Sequence, residues 1–150
     1  MERGRLDYGD KLMDISKEYI KMCEKAVEIQ SIWNIKGRSF GDFFSNAYSI
    51  TQVFSPNTFS LTHEPIYWLP RQDQLQEMVD LSGKNLRNDC SHWYICEYDQ
   101  DGAAYPYPIT DWVQIDDHYG YKGFDTAEKA YLAFIMQEKY NKTWNGEDWI

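Results

Sequence analysis

The chain has 150 residues, of which 43% are hydrophobic, and its 24 acidic and 15 basic residues give a formal charge of −9. That length is typical of one domain, and that hydrophobic content excludes a disordered chain. No segment approaches the apolar length of a membrane-spanning helix, and the start lacks the apolar centre of a signal peptide. We therefore expect a single acidic domain over 1–150 in the cytoplasm, with no membrane association and with reduced cysteines.

The N-terminal part of the chain predicts one long helix from Asp10 to Trp33. Apolar residues recur there at intervals of three and four, which places them on one buried stripe. Asp10 is suited to cap the first turn. Residues 1–9 contain two glycines and several charges, so we expect them to be loose.

The next segment mixes aromatic and β-branched residues. It predicts strands near 41–54 and 58–63, with a turn at 55–57 between them. An extended segment at 66–69 follows.

A short central helix should come next. Pro70 suits its first turn, because the missing N–H of proline would have no partner there. Gly83 suits its end, where a left-handed residue is favoured. The expected buried side consists of Leu75, Met78 and Val79.

The segment HWYICEYD at 92–99 predicts a strand from its aromatic and β-branched content. Pro106 and Pro108 should keep the following loop, 99–110, free of regular structure. A second strand near 111–115 is expected to pair antiparallel with the first.

A C-terminal helix is predicted to begin at Asp125, because Asp125 and Glu128 have the spacing of a capping box, and to run to about Tyr140. Asn145-Gly146 then predicts a tight turn before a last short strand at 149–150. Together these elements predict an α+β fold: a small, mostly antiparallel sheet packed against an N-terminal and a C-terminal helix, plus one short central helix.

The negative charge is concentrated in one stretch. Between Arg87 and Lys122 there is no basic residue, whereas seven carboxylates and eight Trp or Tyr residues lie there. Such a surface repels phosphate backbones, so we expect no direct binding of nucleic acid. It suits a protein partner with a basic surface, although solubility alone also explains it. The candidate binding residues are Glu97, Asp99, Asp101, Tyr105, Tyr107, Asp111, Asp116 and Asp117.

Patterns for catalysis or metal binding are weaker. Cys90, His92 and Cys96 have the same parity along the predicted strand, and His118 adds a fourth ligand type, but their spacing differs from that of zinc sites. No nucleophile motif, phosphate loop or zinc-protease motif occurs. We therefore predict no catalytic residue, no metal and no cofactor, and we do not predict an enzyme.

Three segments carry a resemblance: KMCEKAVEIQSIW at 21–33, IYWLPRQDQLQEMV at 66–79 and FDTAEKAYLAFIMQEKYNKTWNGEDWI at 124–150. In that order they resemble small phage and prophage proteins of Gram-positive bacteria. The resemblance implies a phage or prophage origin and work in the host cytoplasm. It supplies no site residues, since the family has no assigned catalytic ones. Residues 37–62 look like an insert, and loops of that kind often carry a member's own function.

Two functions are therefore open. The first is a non-catalytic protein that binds a basic host or phage protein through 97–117, in its strongest form as a DNA mimic or counter-defence factor. The second is a small-ligand or nucleotide-binding protein that sequesters its ligand in an aromatic pocket. An anionic ligand would need a lining from Arg38, Arg71, Lys84 or Arg87. Arg71 and Asp73 either contact such a ligand or cap the helix start.

Overall fold

The chain folds into ten strands and four helices within the part that the computed structural model describes. The described residues are 5–8, 11–36, 41–46, 50–52, 65–82, 84–89, 92–98, 101, 104–107, 112–115, 118–121 and 123–150. The strands are β1 (Arg5–Tyr8), β2 (Lys11–Asp14), β3 (Phe43–Ser45), β4 (Ile50–Gln52), β5 (Tyr67–Leu69), β6 (Lys84–Asp89), β7 (His92–Tyr98), β8 (Ala104–Tyr107), β9 (Trp112–Ile115) and β10 (His118–Tyr121). The helices are α1 (Lys17–Lys25), α2 (Val27–Lys36), α3 (Gln72–Gln76) and α4 (Ala127–Tyr140).

Every pairing of these strands is antiparallel, which confirms the predicted α+β class. The chain divides into two compact units. The first unit consists of Met1–Arg71 and Trp144–Ile150, and the second of Gln72–Thr143. Among the described residues, no helix combines the length and the apolar character needed to cross a membrane.

The helix predicted from Asp10 to Trp33 is wrong in its first part. Strands β1 and β2 form a hairpin instead, so Arg5–Tyr8 have regular structure where a loose segment was expected. Helix α1 starts after Ser16, whose Oγ accepts the Tyr19 N–H at 3.2 Å. A side-chain cap of this kind fixes a helix start more firmly than apolar spacing does.

The same predicted helix is also interrupted at Ala26. This residue leaves the helical region, with φ −83° and ψ 72°, and its N–H bonds to the carbonyls of Met22 and Cys23. Gln30 then donates from its side-chain amide to the Cys23 carbonyl. Neither glycine nor proline marks the break, so the sequence gives no signal for it.

The core of the first unit lies among α1, α2 and the sheet β4-β3-β5. Its buried side chains are Tyr19, Met22, Cys23, Ile29, Trp33, Phe43, Phe44, Trp68 and Leu69. Full burial of one such side chain contributes about 1.5–3 kcal/mol. Gln30 completes the free edge of β5, because its amide accepts the Trp68 N–H at 2.7 Å and donates to the Trp68 carbonyl at 3.0 Å.

The strand predicted at 41–54 is two paired strands, β3 and β4, while the turn at 55–57 and the strand at 58–63 lie outside the described residues. The extended segment at 66–69 is confirmed by β5. Helix α3 is shorter than predicted and begins two residues after Pro70. The Pro70 carbonyl instead accepts the Tyr19 hydroxyl at 2.6 Å.

Helix α3 buries Leu75 as expected. Met78 and Val79 are half-buried and lie beyond its end, and Gly83 lies outside the described residues.

In the second unit, β7 confirms the strand predicted at 92–99, but its predicted pairing with a strand near 111–115 is wrong, and so is the expectation that 99–110 lacks regular structure. Strands β6 and β8 occupy its two edges, while β9 pairs with β10 in a separate sheet. Pro106 lies within β8, which is tolerated because β8 is an edge strand and proline needs no partner for an absent N–H.

Helix α4 confirms the C-terminal helix, but its cap is Thr126 and not Asp125. The Thr126 Oγ1 accepts the Lys129 N–H at 3.4 Å, and Asp125 Oδ1 bonds to the Lys129 ammonium at 2.6 Å. The helix packs against α3 and β7 and is buried along ten consecutive residues, 127–136. It ends at Asn141, which is left-handed with φ 53°.

The tight turn predicted at Asn145-Gly146 is confirmed. Asn145 Oδ1 accepts the N–H groups of Glu147 and Asp148, each at 2.8 Å, and Gly146 has φ 102°. A single bridge between Trp144 and Trp149 takes the place of the predicted last strand.

Candidate functional site

The candidate binding residues fall into two groups. Glu97 lies in β7, Tyr105 and Tyr107 lie in β8, and Asp101 is an exposed residue between these strands. The other four candidates, Asp99, Asp111, Asp116 and Asp117, lie outside the described residues.

The antiparallel register brings three of the candidates together. Glu97 is directly opposite Tyr105, and Tyr107 is opposite Ile95. Positions directly opposite in an antiparallel pair share one face of the sheet, with Cβ atoms about 4.5–5.5 Å apart. An acidic and two aromatic positions therefore share one face of the β7–β8 hairpin.

A basic residue borders this face on the other side of β7. Lys84 of β6 is opposite Glu97, and Leu86 is opposite Ile95. Arg87 is exposed on the same strand. Strand β6, which contains these two basic residues, is one edge of the sheet, and β8 is the other edge.

Three of the other acidic candidates flank a different element in the sequence. Asp111 precedes β9, and Asp116 and Asp117 come between β9 and β10 in sequence. These two strands pair with each other, with Trp112 opposite Tyr121, and not with β7. The expected continuous surface across 97–117 therefore does not arise from one sheet.

A cluster that sequence reasoning missed lies in the first unit around Asp42. This carboxylate is 3% exposed, and its Oδ2 accepts the Trp33 indole N–H at 2.8 Å. Arg71 Nη1 is 3.8 Å from Asp42 Oδ1 and donates to the Gly41 carbonyl at 2.9 Å. The Gln52 amide donates to that same carbonyl at 3.1 Å.

Gly41 has φ +89°, a conformation that glycine adopts without strain. Arg71 contacts the Gly41 carbonyl and Asp42 of its own chain. These contacts favour a structural role for Arg71 over recognition of a ligand. The signal available in the sequence was the position of Asp42 directly before Phe43 and Phe44. A carboxylate that is buried with such aromatic neighbours needs a polar partner.

The stacked aromatic rings described in the first unit belong to its core and not to a binding surface. The rings of Trp33 and Trp68 stack with centroids 6.1 Å apart and planes at 8°, and Phe44 lies 6.3 Å from Trp33. All three side chains are buried. The high aromatic content therefore does not by itself indicate a stacking pocket.

The thiols in the described segments are enclosed. Burial raises the pKa of Cys23 well above its ordinary value of 9.0, and a hydrogen bond with Tyr19 opposes that shift only in part. Cys96 is also buried, in β7. A nucleophilic cysteine needs a lowered pKa and access to solvent, so Cys23 is unsuited to that role.

The possible metal ligands are also divided. His92 and Cys96 belong to β7 and His118 to β10, in different sheets, while Cys90 lies outside the described residues. Across the described ranges, no three His, Cys, Asp or Glu side chains are grouped to hold a metal ion.

Comparison with known proteins identified no relative. No protein-family model matches the sequence, and no curated protein or solved structure matches it.

Proposed function

We propose that this chain is a non-catalytic binding protein of phage or prophage origin. It engages a basic surface of a host or phage protein through the region 97–117. The observation that carries the proposal is the run of 34 residues, 88–121, without a lysine or arginine. Eight of the nine net negative charges lie in residues 89–150, so the charge is a local property and not an average over the chain.

The β7–β8 hairpin supports this proposal at the level of the backbone. Its register places Glu97 beside Tyr105, and the exposed Asp101 lies between the two strands. Carboxylates steer a basic partner and select against acidic ones, while aromatic side chains supply the contact energy of a binding hot spot. A combination of both within one hairpin is suited to a basic protein.

In its strongest form the chain is a DNA mimic. Carboxylates then replace phosphates on a host protein that binds nucleic acid, for example a defence component. The overall charge of −9 disfavours binding to nucleic acid itself, because phosphates require basic contacts. Competition with DNA for a shared partner is therefore the distinguishing property.

The test is capture of partners from a host lysate by the immobilised chain. The variant D99N/D101N/D116N/D117N removes four charges from the proposed region and should lose partners that duplex DNA also displaces. A matched control, E18Q/E24Q/E77Q/E138Q, removes four charges elsewhere and should retain them. Equal capture by both variants would contradict the proposal, because charge outside the region would then serve equally well.

The alternative, a small-ligand or nucleotide binder, has less support. Arg71 contacts the Gly41 carbonyl and Asp42, and the stacked Trp33 and Trp68 are buried. A thermal-shift screen distinguishes the two functions, since a ligand at one hundred times its Kd adds about 2.7 kcal/mol to the free energy of unfolding. A nucleotide that stabilises the chain by that amount would favour the alternative.

A further inference from the structure

The seven residues 144–150 form a strap on the surface of α1. The Trp149 indole N–H donates to the Met22 carbonyl at 2.9 Å. The Lys25 ammonium is 3.0 Å from Asp148 Oδ1, and Lys21 pairs with Glu147. The hydrogen bond with Asp148 raises the pKa of Lys25. Two lysines one helical turn apart thus face two adjacent carboxylates, with an indole anchor beside them.

The strap is also a small folded element in its own right. The side chain of Asn145 closes its turn, and the Asn145 N–H donates to the Asp148 carbonyl at 3.1 Å. The rings of Trp144 and Trp149 pack with centroids 5.1 Å apart. A preformed turn loses little conformational entropy when it docks, so it can bind α1 as a unit.

Only three residues, 141–143, join α4 to this strap. The first of them, Asn141, is the one residue other than glycine with positive φ in the described part of the chain. Its N–H and that of Lys142 close the helix end on the carbonyls of Gln137 and Met136. A left-handed residue other than glycine carries backbone strain, and strain in a short hinge favours exchange of the element beyond it between copies.

We propose that the face of α1 formed by Lys21, Met22 and Lys25 binds the strap of a second copy, so that two chains exchange straps and form a dimer. Both copies have the same sequence, so each contact of the strap within one chain has an identical counterpart between chains. The charge complementarity between two lysines and two carboxylates selects this occupant. Docking within one chain proceeds at a high effective concentration, so exchange requires concentrated protein or refolding at high concentration.

The test uses two charge-reversed variants that are complementary only between chains. The first variant, K21E/K25E, has an acidic α1 face, and the second, E147K/D148K, has a basic strap. In either variant alone the strap meets like charges. After unfolding and joint refolding, both exchanged straps of a heterodimer meet opposite charges. Native mass spectrometry and size-exclusion chromatography measure the result.

We expect the heterodimer to exceed either homodimer about tenfold or more. Each exposed ion pair changes an equilibrium by a factor of about 1.4 to 5, and the heterodimer restores four of them. The variant with all four reversals regains complementarity within one chain, so it should be monomeric at dilution and form no heterodimer with the native chain. A mixture that remains monomeric at high concentration would overturn the proposal.

The hinge gives a second test that leaves the charges unchanged. Asn141→Gly removes the strain of the left-handed residue and should reduce the dimer severalfold, whereas Asn141→Ala increases the strain and should raise it. Equal dimer fractions in the two hinge variants would contradict a hinge-driven exchange. A dimer that persists after deletion of 144–150 would do so as well. Because the strap belongs to the first unit, neither result depends on the binding function proposed for the second.

Discussion

At the residue scale, Asp42 shows how one buried carboxylate connects segments that are distant in sequence. It accepts from Trp33 of α2, and it lies near Arg71, which itself bonds to Gly41. A buried charge is tolerated when it has such partners, and loss of one partner leaves the other unsatisfied. The stability of the first unit should therefore depend on this carboxylate more than on an exposed one.

The first prediction concerns the hydrogen bond between Trp33 and Asp42. Asp42→Ala leaves the buried indole N–H without its acceptor and should lower the free energy of unfolding by about 1–3 kcal/mol. Trp33→Phe should lower it as well, and the double variant should lose less than the sum, with a coupling of about 0.5–3 kcal/mol. Urea unfolding measures the free energy of unfolding of the native chain, the two single variants and the double variant. Strict additivity would show that the two side chains do not act together.

The second prediction concerns pH and Cys23. Burial raises the pKa of its thiol in the folded chain above the ordinary value of 9.0. Above pH 9 the unfolded chain therefore releases this proton while the folded chain keeps it, so stability falls as the pH rises. Between pH 8 and 10 the native chain should lose about 1 kcal/mol more than Cys23→Ala, measured by urea unfolding. Equal losses would place the thiol in contact with solvent.

At the element scale, the attachment of the strap to α1 depends on the indole of Trp149. Trp149 is 9% exposed and donates to a backbone carbonyl of α1, whereas the indole N–H of Trp144 meets no acceptor within the described part of the chain. The two tryptophans of the same turn therefore differ in what their N–H groups contribute. This difference provides a matched pair of substitutions.

The third prediction uses that pair. Trp149→Phe removes the bond to the Met22 carbonyl and should lower the free energy of unfolding by about 0.5–1.5 kcal/mol beyond the effect of the smaller ring. Trp144→Phe removes a buried N–H without a partner and should cost less. Urea unfolding compares the two. A larger loss for Trp144→Phe would show that ring packing, and not the hydrogen bond, holds the strap.

The fourth prediction concerns the approach of Gly123 to β7. Phe124 and Trp93 exchange two backbone hydrogen bonds, at 2.5 and 2.8 Å, beside this glycine. A Cβ at position 123 would overlap the Trp93 carbonyl, with 2.7 Å to its carbon. Gly123→Ala should therefore separate the bridge and cost about 2 kcal/mol or more. Leu75→Ala, a cavity elsewhere in the same unit, should leave amide exchange at Phe124 slow, whereas Gly123→Ala should accelerate it.

The elements that were predicted correctly are those with a strong local pattern. The aromatic and β-branched run of β7 and the apolar run of α4 specify their own conformation. The break at Ala26 and the pairing of β9 with β10 were missed, because they depend on contacts that local composition does not encode. Pro106 was a misleading signal because an edge position tolerates proline, and edge positions are known only from the assembled sheet.

The candidate site was predictable to a similar extent. The acidic and aromatic composition of the stretch grouped Glu97 and Tyr105 before the register was known, although β8 itself was not predicted. The Asp42–Arg71 contact was not predicted, since the two residues belong to different segments and only the tertiary fold brings them within 3.8 Å. Local composition thus locates a charge, but it does not identify its partner.

At the scale of the whole molecule, the charge is uneven. Residues 89–150 contain 12 acidic and 4 basic residues, whereas residues 1–88 contain 12 and 11. An excess of one sign destabilises a compact chain by self-repulsion, and salt screens it over a length of about 10 Å at 0.1 M. The response of stability to salt should therefore originate mainly in the C-terminal part.

The fifth prediction tests that distribution without any partner. Adding NaCl from 0.02 to 0.3 M shortens the screening length from about 20 Å to about 6 Å and should stabilise the native chain. The variant D99N/D101N/D116N/D117N takes all four of its charges from residues 89–150, whereas E18Q/E24Q/E77Q/E138Q takes only one from there, so the first variant should respond less. Thermal unfolding at each salt concentration measures the response. An identical response of the two variants would show that the charges act only through their sum.

The return of residues 144–150 to the first unit also has a consequence for biosynthesis. The α1 face around Lys21 and Lys25 leaves the ribosome long before Trp149, and all of Gln72–Thr143 is made in between. At about 5–20 residues per second, that face remains uncovered for roughly 6–25 s. Neighbouring chains on the same mRNA whose residues 144–150 are already synthesised can bind their straps to this face during the interval. We therefore expect strap exchange to be most frequent among chains that are translated together.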